Sequence, residues 1–142
     1  MADLVFNIAK GAFVEKIRDS AANCGVLLLK VADTDDAMRD TDTVAALLAT
    51  TADEATDASY ARKTGLTGTI TVDDTNNRVD VDLPDQTFTA LAGAAITDAV
   101  VFYQESAADS GRIPLTLHDF AVTPDGSDVT LQFNASGFAR AS

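Results

Sequence analysis

One cysteine, Cys24, stands in 142 residues, so no internal disulfide is available and packing and hydrogen bonds must hold the fold. A lone cysteine suits synthesis in a reducing compartment. There is also one histidine, His118, and zinc-type sites need several Cys or His ligands. Tryptophan is absent, and the aromatics are seven Phe and two Tyr. Apolar residues make up 46% of the chain, but many are alanine, so bulky core formers are fewer than that fraction implies. No apolar run approaches the ~20 residues that a spanning helix needs. Met1-Ala2-Asp3-Leu4 has neither a basic stretch nor a long apolar core, so no signal peptide is expected. Basic residues are scarce: 10 Lys and Arg against 19 Asp and 3 Glu give a formal charge of −12. Nucleic acid needs clustered cations to meet its phosphates, and anionic membranes need the same, so neither is an expected partner. The charge favours solubility and makes copies repel one another unless apolar patches meet.

What is present is strand-like. Thr69-Ile70-Thr71-Val72 and Arg78-Val79-Asp80-Val81-Asp82-Leu83 alternate with period two around the turn-forming run Asp73-Asp74-Thr75-Asn76-Asn77. This pattern predicts a β-hairpin with Ile70, Val72, Val79, Val81 and Leu83 inward and Thr69, Thr71, Asp80 and Asp82 outward. Pro84 ends the second strand or marks an edge, and Gln86–Thr89 reads as a third. Val26–Val31 is a short continuous apolar run that fits a buried strand. Ala99–Tyr103 is β-branched and aromatic, and Ile113–Phe120 alternates, with Pro114 restricting it to an edge or a strand start. Thr123–Ser127 is a turn and Asp128–Phe133 alternates again, so a second hairpin is expected there, with Phe138 docking near the end. Two accounts fit residues 4–19: one helix, or a short strand at 4–8 followed by a helix at 11–19. Asp33–Asp42 reads as loop, Thr43–Ala49 as a helix capped by Asp42, and Thr50–Ser59 as flexible or ordered by a partner. The expected fold is a single α+β domain over residues 1–142, mainly β: antiparallel hairpins forming a sheet or sandwich with one or two short helices.

Candidate chemistry is thin. Counting from Asp74, the sixth position of a calcium loop would be Val79 where glycine is needed, and the twelfth Asp85 where glutamate is needed. Gly65-Leu66-Thr67-Gly68 lacks the Lys-Ser/Thr of a phosphate loop. Cys24 and His118 would make a nucleophile and base only if the fold joined them; otherwise Cys24 is a small core residue and His118 a strand residue. Asp80 and Asp82 share a strand face in polar surroundings. No catalytic, cofactor-binding or metal-binding residue is assigned.

Several stretches carry a likeness: Asn7–Gly11, Tyr60-Ala61-Arg62-Lys63, Asp73–Asp80, Leu83–Phe88, Ile113–Phe120 and Gly137–Ser142. Together they resemble a family of small virion structural proteins of tailed bacteriophages, nearly end to end. The resemblance implies a non-enzymatic structural protein, made in the host cytoplasm and placed on the virion. Its leading form is a capsid decoration (cement) protein on the shell exterior that bridges major capsid protein subunits, with copies of itself as further partners and no cofactor. The alternatives are a tail or head–tail junction subunit and, from another class, a small hydrolase or ligand-binding domain around His118. The expected contacts are Leu4, Phe6, Ile8, Tyr60, Arg62 and Lys63, because aromatic and arginine side chains give the most interface energy per residue. The competing account puts Phe6 and Tyr60 in the core.

Overall fold

The computed structural model describes residues 3–9, 13–19 and 21–141. In chain order the elements are β1 (Leu4–Val5), α1 (Phe13–Asp19), β2 (Cys24–Val31), α2 (Asp35–Arg39), α3 (Val44–Leu47), β3 (Asp53–Glu54) and β4 (Lys63–Leu66). There follow β5 (Thr69–Asp73), β6 (Arg78–Asp82), β7 (Gln86–Phe88), β8 (Ile96–Gln104), β9 (Arg112–Val122), β10 (Val129–Leu131) and β11 (Ala139–Ala141). The fold is α+β and mainly β, with antiparallel sheets and short helices.

The central sheet runs β1-β9-β8-β2-β3, and β4 shares the outer side of β2 with β3. Its middle strands are apolar on both faces, which is what a continuous run such as Val26–Leu29 requires. Leu27, Leu29, Val100, Phe102 and Leu117 face one way and pack with Met38 of α2 and with Val44 and Leu47 of α3. Val26, Leu28, Ala99, Val101 and Tyr103 face the other way, towards Ile17 of α1, Val81 of β6 and Phe88 of β7. β9 serves both layers through a bulge. Val101 is opposite Thr116 but Phe102 is opposite Pro114, so Leu115 is the extra residue. A bulge turns neighbouring residues to one side, which places Leu115 in the layer opposite Leu117. Pro114 lies at this bulge near the strand start, where a missing N–H is tolerated.

The hairpin forms as expected: β5 pairs β6 with Thr69 opposite Asp82 and Asp73 opposite Arg78. Its two faces differ from expectation at two places. Val72 is 65% exposed because this end of the hairpin extends past the core. Asp80, expected outward, is 9% exposed because Arg78 Nε at 3.0 Å and Arg140 Nε at 2.8 Å close over its carboxylate.

Other expectations are corrected by long-range pairing. Asp128–Phe133 does not form a hairpin with the preceding strand; β10 pairs with β7, Thr130 opposite Thr87. Asp33–Asp42 holds α2, whose Thr34 hydroxyl accepts from Ala37 N at 3.3 Å, with Asp35 and Asp36 in its first turn and Arg39 in its last. The α3 cap is Thr43 rather than Asp42, accepting from Ala46 N at 3.1 Å. Residues 4–19 follow the second account, a short strand and then a helix; positions 10–12 lie outside the described residues. Thr50–Ser59 contributes β3 and buries Ala52 and Ala55. Phe138 docks, and β11 adds a strand beside β6 that alternation did not suggest. Gly137 makes this approach possible: its φ is 89°, and a Cβ there would lie 2.2 Å from the Val81 carbonyl oxygen.

Candidate functional site

The six residues expected to meet a partner are scattered, and most are used inside the chain. Leu4 and Phe6 are 7% and 0% exposed, because β1 pairs along β9 and turns both side chains under α2 and α3. This corrects their assignment as contact surface and favours the core account for Phe6. Ile8 remains at the surface, 40% exposed. Tyr60, Arg62 and Lys63 lie near one another, but Tyr60 and Arg62 turn inward. Lys63 holds its ammonium 5.0 Å from the centre of the Phe88 ring, and Tyr60 stacks on the same ring at 6.0 Å.

The inward turn has a backbone cause. β3 pairs β2 at Leu29 and Val31, and β4 pairs it at Cys24 and Val26; between them the Leu28 carbonyl accepts from Ala55 N at 2.9 Å, but the Leu28 N–H is left in a gap with no strand partner. The Tyr60 hydroxyl fills the gap by accepting from Leu28 N at 3.0 Å and donating to Glu54 Oε1 at 2.7 Å. Buried backbone donors need such partners. Burial, together with the Glu54 charge, raises the Tyr60 pKa well above the usual phenol range. Arg62 completes the cluster. Its Nε and Nη2 donate to the two Glu54 oxygens at 2.6 and 2.5 Å, and its Nη1 and Nη2 reach Asp109, which also accepts from Arg112 at 2.9 Å. The guanidinium is held protonated first by its bonds to Glu54, and Asp109 is lowered first by its bond to Arg62. A doubly bidentate guanidinium with both carboxylates in place clamps the 54–62 segment to the loop before β9. No reacting group is left over in it.

His118 sits in a hollow of about 300 Å³ whose lining includes Asp3, Asp119, Phe133, Asn134 and Phe138. Its Nε2 is 2.8 Å from Thr116 Oγ1 and its Nδ1 3.6 Å from Asp3 Oδ2, and the rings of Phe133 and Phe138 approach it edge-on. Burial lowers the imidazole pKa, and Asp3 partly opposes this. The carboxylate–imidazole–hydroxyl order has the sequence of groups that activates a nucleophile. Thr116, however, is 2% exposed, so its oxygen lies beneath the strand surface where no substrate carbon reaches it. Cys24 and His118 are not brought together. They pair Tyr103 and Ala99 respectively, four residues apart along β8, about 13 Å at strand rise. Burial pushes the Cys24 thiol up to about 11, away from a reactive thiolate.

Among the described residues, no group of three or more His, Cys, Asp or Glu side chains is arranged to hold a metal ion. No described helix is long and apolar enough to cross a membrane. Sequence reasoning passed over Glu54 and Asp109, whose roles arise only when distant segments meet; their acidic character gave no local signal. No family model, no curated protein and no solved structure matches this chain.

Proposed function

We propose that this chain is a structural subunit of a tailed-bacteriophage virion, a decoration protein that binds the outer face of the capsid shell and bridges major capsid subunits. The observation that carries the reading is how the chain uses its charge. Seven of its ten cations, Lys16, Lys30, Arg39, Arg62, Arg78, Arg112 and Arg140, pair with its own carboxylates, so the surplus of acid faces outward. Such a surface repels packaged DNA and suits the outside of a shell. Large exposed apolar residues, Ile8, Val31 and Val72, supply adhesive points on it. Each copy buries modest area across a subunit seam, and a ligand that binds only the assembled lattice stabilises that lattice by mass action.

The test is co-sedimentation of the purified chain with empty expanded shells and, separately, with unassembled capsid subunits. Saturable binding to shells alone is the expected result, and equal binding to free subunits would overturn the mechanism. Copy number separates this reading from a tail or head–tail subunit: hundreds per particle on the shell, against copies along the tail or at one vertex. The His118 hollow favours a second reading, a ligand-binding domain. His118→Ala leaves shell binding unchanged if the first reading holds.

A further inference from the structure

On the face of the central sheet that carries α2 and α3, beyond the end of the core, Asp98 of β8 lies opposite Leu29 of β2 on one side and Asp119 of β9 on the other. Two carboxylates directly opposite each other in adjacent strands repel. Asp98 is 2% exposed, and its Oδ1 has no hydrogen-bond partner among the described residues. It lines a hollow of about 530 Å³ whose walls include Val31, Ala32, Thr97, Asp119 and Ala121. Lys30, which also lines the hollow, does not neutralise it: its ammonium is directed to Asp53 at 3.0 Å and Thr56 at 3.3 Å. Burial accordingly raises the Asp98 carboxyl above its ordinary range.

We propose that this hollow is a socket for a lysine or arginine side chain of a protein partner, with the Asp98 carboxylate as its acceptor. The walls fit both parts of such a side chain. Val31, which is 45% exposed, together with Ala32 and Ala121, meets the aliphatic stem, and the recessed carboxylate meets the cationic head. A recessed, largely dehydrated carboxylate with an open acceptor forms a stronger charge-assisted bond than a surface one. A bare metal ion is a poor occupant, because no third ligand of the kind it needs is gathered there among the described residues. A second copy is a poor occupant too: each carries a charge of −12, and most of its cations are already paired. The inference deepens the decoration reading and rests on it for the partner's identity, a capsid subunit presenting a basic side chain.

Two measurements on the full chain test it. The first titrates butylguanidinium chloride into carbon-13-labelled protein at constant ionic strength while following the Asp98 carboxyl resonance. A saturable shift is expected, and no shift, or a shift with calcium chloride only, overturns the socket. The second compares shell binding of wild type, Asp98→Asn and Ala121→Phe, which fills the hollow. Both variants are expected to bind at least about tenfold more weakly, the loss of one good charge-assisted contact, with melting temperatures no lower than wild type for Asp98→Asn. Wild-type binding with Asp98→Asn unchanged overturns the socket alone, and with a positive titration would assign the hollow to a small free cation. Failure of wild type itself to bind shells removes the decoration reading and leaves the socket to be judged by the titration.

Discussion

Arg62 and Asp98 are both charged side chains largely removed from water, and their surroundings are opposite. Arg62 has each of its outer nitrogens bonded and a carboxylate on either side. Asp98 has an oxygen without a partner among the described residues and a like charge opposite. A buried charge held by a carboxylate on either side fixes the chain in one arrangement. A buried charge left short of partners costs stability and is available to something that supplies one. The first belongs to the architecture, the second to recognition.

Arg62→Ala tests the compensated side and should have the largest effect. It leaves Glu54 and Asp109 facing each other half-buried and should cost about 3 kcal/mol, read as a lower urea midpoint with an unchanged slope. Asp98→Asn should do the reverse. It removes the repulsion opposite Asp119 and the cost of a buried anion, stabilising the isolated chain by about 1 kcal/mol near neutral pH. Tyr60→Phe should cost about 1 kcal/mol, because it orphans the Leu28 N–H in the gap beside β2, and exchange of that amide should accelerate locally.

The pH dependence sharpens the contrast further. The Asp98 pKa is raised in the folded chain, so the native state binds its proton more tightly and its destabilising effect fades as pH falls through that raised value. The advantage of Asp98→Asn should therefore shrink on acidification. Asp109 is lowered, so its contribution is present above its unfolded pKa and is lost as pH falls through its folded one. The gap between wild type and Arg62→Ala should close only at that more acidic end. Unfolding midpoints between neutral and acid pH would show the two gaps closing in different windows, and a single shared window would break the distinction.

The same contrast marks what was legible in the residues. Local alternation was enough for the 69–83 hairpin, and the continuous run at Val26–Leu29 was enough for a strand buried on both faces. Neither α2 nor the β7–β10 pairing was legible. A five-residue helix held by one threonine cap leaves little period to read, and strand partners separated by some forty residues leave none. Arg62 was read as a surface anchor because arginine favours interfaces. Its inward turn depends on the gap at Leu28, which exists only after β3 and β4 have divided the edge of β2 between them. Asp98 went unremarked for the same kind of reason: an aspartate beside an apolar run reads as solvated until its neighbours across the sheet are known.

That divided edge has a further consequence. β3, the Tyr60 hydroxyl and β4 occupy the outer side of β2 in succession, so no foreign strand can zip onto it without first displacing three separate attachments. Left uncovered, that edge would expose a long, flat, apolar strand to any neighbouring molecule. Here the apolar strand β2 is shielded from cross-β growth by segments too short and too irregular to template it.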